Sequence, residues 1–175
     1  MKATVVLMMK EGKVLLARKV KKIGAGMWNG YGGKSEPSDE SLRHTACREL
    51  YEESGMGIIV EPEDLAEVAN IDFYYGENSL DRYEAQNDAN FSVTFYIANK
   101  WSGEASSTDE MTDPTWFGLN DIPYDEMLPA DRDFMPVIIS NIRQVNTDNL
   151  ETPITNGRVL FSLDMKSVVK SEYSR

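Results

Sequence analysis

The chain is poor in most of what marks secreted, membrane or nucleic-acid-binding proteins. It has a single cysteine, Cys47, in 175 residues, so no intrachain disulfide can form and a cytoplasmic protein is the simplest expectation. The lone histidine, His44, shares the same segment, but one His and one Cys lack the further ligands a zinc centre needs. No apolar run approaches the ~20 residues of a membrane span. The opening TVVLMM run is too short for a signal sequence and meets charge at once. Basic residues are scarce as well, with 18 Lys and Arg against 29 Asp and Glu and a net charge of −11. Wrapping a nucleic acid polymer rests on clustered Lys and Arg that neutralise phosphates, so that partner is not expected. A small phosphorylated ligand accompanied by a divalent metal remains compatible. No repeat, low-complexity tract or linker divides the sequence, its length suits one domain over 1–175, and no obligate protein partner is indicated.

What is concentrated is glycine followed by acid, in the stretch GGKSEPSDESLRHTACRELYEESGM from Gly32 to Met56. Ser38 reads as a helix cap with Asp39 and Glu40 in the first turn, and Ser54 and Gly55 as the stop, which predicts a helix over Asp39 to Glu53. Leu42, Ala46 and Leu50 then form an apolar stripe, with Glu49, Glu52 and Glu53 in the sector beside it. Like charges three and four positions apart repel, and next to a buried face less water screens them. Arg48 pairs with Glu52 at helical spacing, yet one guanidinium cannot neutralise three acids, whereas a divalent cation with oxygen ligands can. A generic glutamate cluster reads as a solvated face. Here Gly30, Gly32 and Gly33 just upstream give a backbone able to approach a phosphate closely, so the pattern points to a site that polarises a diphosphate and delivers water to it.

Around this stretch, Thr4 to Met9 and Lys13 to Arg18 read as a hairpin turning at Glu11 and Gly12. The basic group Arg18, Lys19, Lys21 and Lys22 suits either a polyphosphate or a solvated strand end. Further strands are expected at Ile58 to Val60, Leu65 to Tyr75, Phe91 to Asn99, Thr115 to Gly118 and Arg158 to Leu163. Gly76 to Asn90 reads as a long acidic loop. Pro123 to Asp133 is expected to be irregular, leading to a helix over Phe134 to Gln144 with Pro136 in its first turn.

The run from Arg48 to Met56, with Glu40 at the required distance before it, resembles the Nudix box, G-x5-E-x7-R-E-U-x-E-E-x-G-U with U apolar. The match is complete from Glu40 onward. Upstream, six residues rather than five separate Gly33 from Glu40, which reads as one inserted residue near Pro37 and Ser38, and Asp39 stands at the wrong distance from Arg48 to serve as the motif's acid. The resemblance implies an α/β fold, the Nudix α/β/α sandwich with a mixed sheet, and a hydrolase dependent on Mg²⁺, with Mn²⁺ as a substitute. Within the family, GAGMWNGYGGK, the Asp109 to Met111 segment and TWFGLNDIPYDEMLPADRDF are similar to the oxidised-purine nucleoside triphosphatases, the animal-type MutT homologues that act on 8-oxo-dGTP.

That likeness implies roles residue by residue. Glu49, Glu52 and Glu53 would hold the metal together with the Gly33 carbonyl and Glu110. Glu52 or Glu53 would also orient or deprotonate the attacking water, and Arg48 would hold the glutamates in position. Asn29 would bond the base edge, Ile23, Phe73, Tyr75 and Met111 would line its pocket, and Lys34 would bind substrate. Asp131 matches the second of two adjacent acids that read an oxidised purine. The first of the pair is Ala130 here, and Leu128 stands where a stacking aromatic is expected, which relaxes the expected selectivity. The rival expectations are a hydrolase of another nucleoside diphosphate derivative, such as ADP-ribose, and a nucleotide-binding module without catalysis.

Overall fold

The computed structural model describes residues 1–144 and 154–174. Its strands are β1 (Lys2–Lys10), β2 (Lys13–Lys19), β3 (Trp28–Asn29), β4 (Ile58–Ile59), β5 (Leu65–Tyr74), β6 (Phe91–Ala98), β7 (Ser102–Gly103), β8 (Met111–Gly118), β9 (Thr155–Phe161) and β10 (Val168–Ser174). The helices are α1 (Leu42–Glu53), α2 (Ser79–Ala85) and α3 (Asp131–Gln144). Eight strands make one sheet in the order β10-β9-β5-β6-β1-β2-β3, with β8 also paired to β2, while β4 and β7 form a separate ribbon. The β1·β6 and β5·β9 pairs are parallel and their neighbours antiparallel, so the sheet is mixed, as expected.

Period-two alternation sends each strand's apolar residues to two opposite faces. On one face Leu7, Leu16, Ile71, Phe95 and Ile97 pack with Phe134, Met135, Ile138 and Ile139 of α3. On the other Val6, Met8, Leu15, Tyr31 and Tyr96 pack with Ala46 and Leu50 of α1. Leu50 is fully buried, which stabilises the docked helix by about 2 kcal/mol. One helix per face is the expected sandwich.

The sheet splits beside β1, and the split positions the site. β1 and β2 are in register only over Met8 to Lys10 and Lys13 to Leu15. Beyond Met8 the segment 31–35 takes the place of β2. Thr4 N–H donates to the Gly33 carbonyl at 2.9 Å, Val6 N–H to that of Tyr31 at 2.7 Å, and Ser35 N–H to that of Lys2 at 3.1 Å. This glycine strap lies against α1 and leaves no room for a side chain at Gly32 unless backbone moves. A Cβ on Gly32 would collide with the Thr4 carbonyl, and one on Gly33 with the Glu49 carboxylate.

Several elements depart from expectation. α1 begins at Leu42, not Asp39, and its cap is Ser41 rather than Ser38; Ser41 is extended and its hydroxyl accepts from His44 N–H at 3.4 Å. Gly76 to Asn90 is not a plain loop, because it contains α2, capped at both ends by the left-handed residues Asn78 and Gln86. Tyr83 of α2 is fully buried, edge-on to Tyr74 at 5.5 Å, and its burial anchors the short helix. β8 starts at Met111 rather than Thr115. It absorbs Pro114 at a bulge where pairing to β2 shifts and Asp113 adopts φ 55. α3 starts at Asp131, so Pro136 lies inside the helix and removes the amide that would bond the Arg132 carbonyl. β10 is an additional edge strand carrying charged Lys170 and Glu172. The polar stretch from Asn146 lies, up to residue 153, outside the described residues.

Candidate active site

A cleft of ≈1170 Å³ opens on the α3 side of the sheet and runs to the glycine strap. Its walls include Glu49 and Glu53 of α1, Gly32 and Gly33, Lys19, Lys22, Lys34 and Glu110, and further in Ile23, Asn29, Phe73, Tyr75, Leu128 and Asp131. Most of the predicted residues are therefore brought together. Three are not. Met111 is buried on the opposite, α1 face of the sheet, because the β8 bulge sets which of its side chains face the cleft. Glu52 and Arg48 lie on the flank of α1, away from the cleft wall, and the Glu52 side chain is 57% exposed.

Arg48 is a hub rather than a partner of Glu52 alone. Its Nη1 donates to Glu49 at 2.9 Å and only distantly to Glu52 at 3.5 Å. Its strongest partner is Asp39, which accepts from Nε at 3.0 Å and from Nη2 at 2.9 Å. Nη2 also donates to the Lys34 carbonyl at 3.1 Å, which ties the helix to the glycine strap. Asp39 further accepts from Thr45 Oγ1 at 2.8 Å and from Glu36 N–H at 2.9 Å, and these bonds, led by Arg48, hold its carboxyl far below the usual range. Glu40, the acid that the motif spacing selects, is instead exposed, with His44 at 3.5 Å. The inserted residue is accommodated by starting the helix later, which leaves Asp39 free to fold back onto Arg48.

Glu53 is buried and accepts from Gly32 N–H at 2.8 Å. Loss of hydration pushes its carboxyl up to about 7, helped by the negative charges of Glu49 and Glu110 and opposed by the Gly32 bond and Lys19. Burial also raises Glu49, against the pull of Arg48. Glu110 enters from the opposite wall, is paired with Lys22 at 3.1 Å and Lys21 at 3.2 Å, and is lowered chiefly by the Lys22 bond. Among the described residues no three acidic, His or Cys side chains are already gathered tightly enough to hold an ion. The donor chemistry nonetheless fits a hard divalent cation, since Glu49 and Glu53, both disfavoured as anions by burial, share the cleft with Glu110, and all donors are oxygen.

At the far end of the cleft Asp131 is buried, its Oδ2 has no hydrogen-bond partner, and burial pushes the acid up to about 7. Leu128 packs close to Gly24, and Ala130 is buried in the α3-side core. Lys19 and Lys22 of the basic group reach the cleft, whereas Arg18 pairs with Glu126 and stacks on Trp28. Sequence reasoning missed Phe91, Asn90, Phe161 and Met165, which complete the wall. The alternation of β6 carries a signal for Phe91; no motif marks the two from the C-terminal hairpin.

Comparison with known proteins places this geometry. A NUDIX domain matches residues 1–138, and the chain belongs to the Nudix family of hydrolases. It is 35% identical over 141 residues to the oxidized purine nucleoside triphosphate hydrolase of Danio rerio, covering 80% of each chain. It is 33% identical over 137 residues to the mouse protein of the same name, covering 78% of each. Among solved structures, a MutT mutator protein of Bacillus halodurans superposes with a TM-score of 0.71 at 18% identity, over 99% of this chain and 97% of that one. A Francisella tularensis NMN adenylyltransferase/ADP-ribose pyrophosphatase, solved with AMP and a manganese ion, gives 0.58 at 21% identity, over 79% of this chain and 41% of that one.

Proposed function

We propose that this hydrolase cleaves nucleoside triphosphates bearing an oxidised purine, such as 8-oxo-dGTP, to the monophosphate and pyrophosphate. The observation that carries the reading is the buried Asp131 carboxyl, whose Oδ2 has no hydrogen-bond partner, in the same cleft as Asn29 and the glutamates. A buried polar atom without a partner costs about 1–3 kcal/mol, and a base edge that supplies the missing hydrogen bond recovers that cost. The two animal relatives act, by name, on oxidised purine nucleoside triphosphates. Leu128 and Ala130 leave fewer contacts for the base, so discrimination falls on Asn29 and Asp131.

Glu49, Glu53 and Glu110 would hold Mg²⁺, with Mn²⁺ as a substitute. When bound, the ion draws charge from phosphate oxygens and lowers the pKa of water. The backbone ligand is assigned to Gly32 rather than Gly33. The Gly33 carbonyl is turned toward β1, where it accepts from Thr4, whereas Gly32 faces Glu53 through its amide. In extended backbone a residue's N–H and C=O point to the same side. Glu53, at the cleft wall, is the better placed of the two candidate bases to take a proton from the attacking water; exposed Glu52 serves at the margin. Lys19, Lys22 and Lys34 offset the charge of the phosphates, and Arg48 fixes Glu49 against the strap. Water adds to one phosphorus, the bridging P–O bond breaks, and pyrophosphate leaves with the electron pair. The half-buried Cys47 is raised to about 11 mainly by burial, which disfavours the thiolate that a nucleophile or metal ligand would need.

Product analysis with Mg²⁺ tests this reading. Incubation with 8-oxo-dGTP should release pyrophosphate and the monophosphate, and ADP-ribose should be a poorer substrate. Preferential turnover of ADP-ribose would replace the proposed substrate with the rival one.

A further inference from the structure

The segment between β5 and β6 is tied to the cleft through Arg82 and Asn90. Arg82 of α2 donates to four acceptors: the Tyr75 carbonyl at 2.9 Å, the Glu77 carbonyl at 3.3 Å, the Asp88 carbonyl at 2.8 Å and Asn90 Oδ1 at 3.2 Å. Asn90 Oδ1 accepts in turn from Tyr75 N–H at 2.9 Å, and Asn90 N–H donates to the Phe73 carbonyl at 2.9 Å. The guanidinium thus closes a ring of bonds around the two chain ends that leave β5 and enter β6. Those ends carry Tyr75 and Phe91, whose rings stack at 6.3 Å with 24° between planes and line the cleft. Lys34 from the strap lies over Phe91 at 5.6 Å, so the aromatic wall adjoins a cation on the phosphate side. On its far side α2 is fixed independently by buried Tyr83 and by Arg158, which donates to the Tyr83 carbonyl at 2.9 Å.

We infer that Arg82 is a positioning residue for substrate, holding the Tyr75–Phe91 pair as an aromatic wall against which the nucleoside is seated. It touches no substrate itself. An arginine meets this need because its planar fork serves several carbonyl acceptors at once, which a lysine's single ammonium cannot do in the same arrangement. The inserted segment is then part of the binding apparatus rather than a decoration on the sheet. The inference rests on the nucleotide-hydrolase reading above, and its test separates the two.

The test combines kinetics with a mutant cycle on the full chain. Arg82→Ala should raise KM for the nucleoside triphosphate about ten-fold, on the scale of one lost aromatic–base contact, with kcat within about two-fold. Calorimetry should show the same loss for dGMP and none for pyrophosphate, because only the nucleoside meets the wall. Tyr75→Ala should produce a similar loss, and the double variant should be no worse than either single one, since both remove the same contact. Arg82→Lys should fall between Arg82→Ala and the unmodified protein, and it carries the test if the alanine variant does not fold. Additive effects, equal losses for dGMP and pyrophosphate, or a fall in kcat at constant KM would overturn the inference. If the unmodified chain turns over neither 8-oxo-dGTP nor dGTP and binds no dGMP, the functional reading fails first and takes this inference with it.

Discussion

Replacing Asp39 with alanine separates the geometry at the head of α1 from the spacing of the sequence motif. The Asp39 side chain is 6% exposed and that of Arg48 23% exposed, and the carboxylate accepts from Arg48 twice, from Thr45 and from Glu36. Breaking a buried ion pair from one side costs about 3–5 kcal/mol. Arg48 keeps Glu49 and the Lys34 carbonyl and is partly hydrated, so the lower end, ~3 kcal/mol, applies here. For a domain of this size that corresponds to a fall in Tm of roughly 6–12 °C. Because Arg48 also aims Glu49, kcat with Mg²⁺ should fall by about ten-fold or more. Glu40→Ala removes an exposed side chain and should change Tm by less than about 2 °C, within the range of surface substitutions. Scanning calorimetry and steady-state kinetics on the two variants decide the matter. A larger loss in Glu40→Ala than in Asp39→Ala would refute the assignment of the arginine's partner.

Other consequences follow from the two buried acids. Asp131, raised from 3.8 to about 7 by burial, binds a proton more readily in the folded protein. The stability it confers is full below the unfolded pKa and is lost as pH rises through about 7, by at most ~4 kcal/mol at ~1.4 kcal/mol per unit. Asp131→Asn should therefore become more stable relative to the unmodified protein between pH 4 and pH 8 in denaturant titrations; a difference independent of pH would contradict the burial argument. Glu53→Gln should lower kcat by about 10²–10⁴-fold, the usual contribution of a positioned proton acceptor, while unchanged turnover would mean the chemistry lies elsewhere. Chelation should abolish turnover and added Mg²⁺ restore it, as measured by pyrophosphate release.

Local patterns were enough to read α1 with its buried stripe, the hairpin, the alternation of β5 and β6 and the glutamate cluster, because each is set by period or by turn chemistry within a few residues. The partner of Arg48 was not legible. It depends on where the helix starts, and the choice between Ser38 and Ser41 is made by Asp39 bonding back across a turn. Nor was α2, whose seven residues are held by burial of Tyr83 against Tyr74 and Leu160 and by the bonds of Arg82 to the chain on either side of the helix. Met111 went to the wrong face because the Asp113–Pro114 bulge is a tertiary accommodation to β2. Phe161 and Met165 reach the cleft only because β9 pairs with β5, and no spacing in the chain encodes that pairing.

The most direct test of the proposed substrate is the ratio of kcat/KM for 8-oxo-dGTP and dGTP at saturating Mg²⁺. A preference of at least about ten-fold for the oxidised base, ~1.4 kcal/mol of discrimination in the transition state, is the result expected if Asn29 and Asp131 read the lesion without the missing acid and aromatic. Equal values would contradict the claim and make the protein a general nucleoside triphosphate hydrolase on the same catalytic frame.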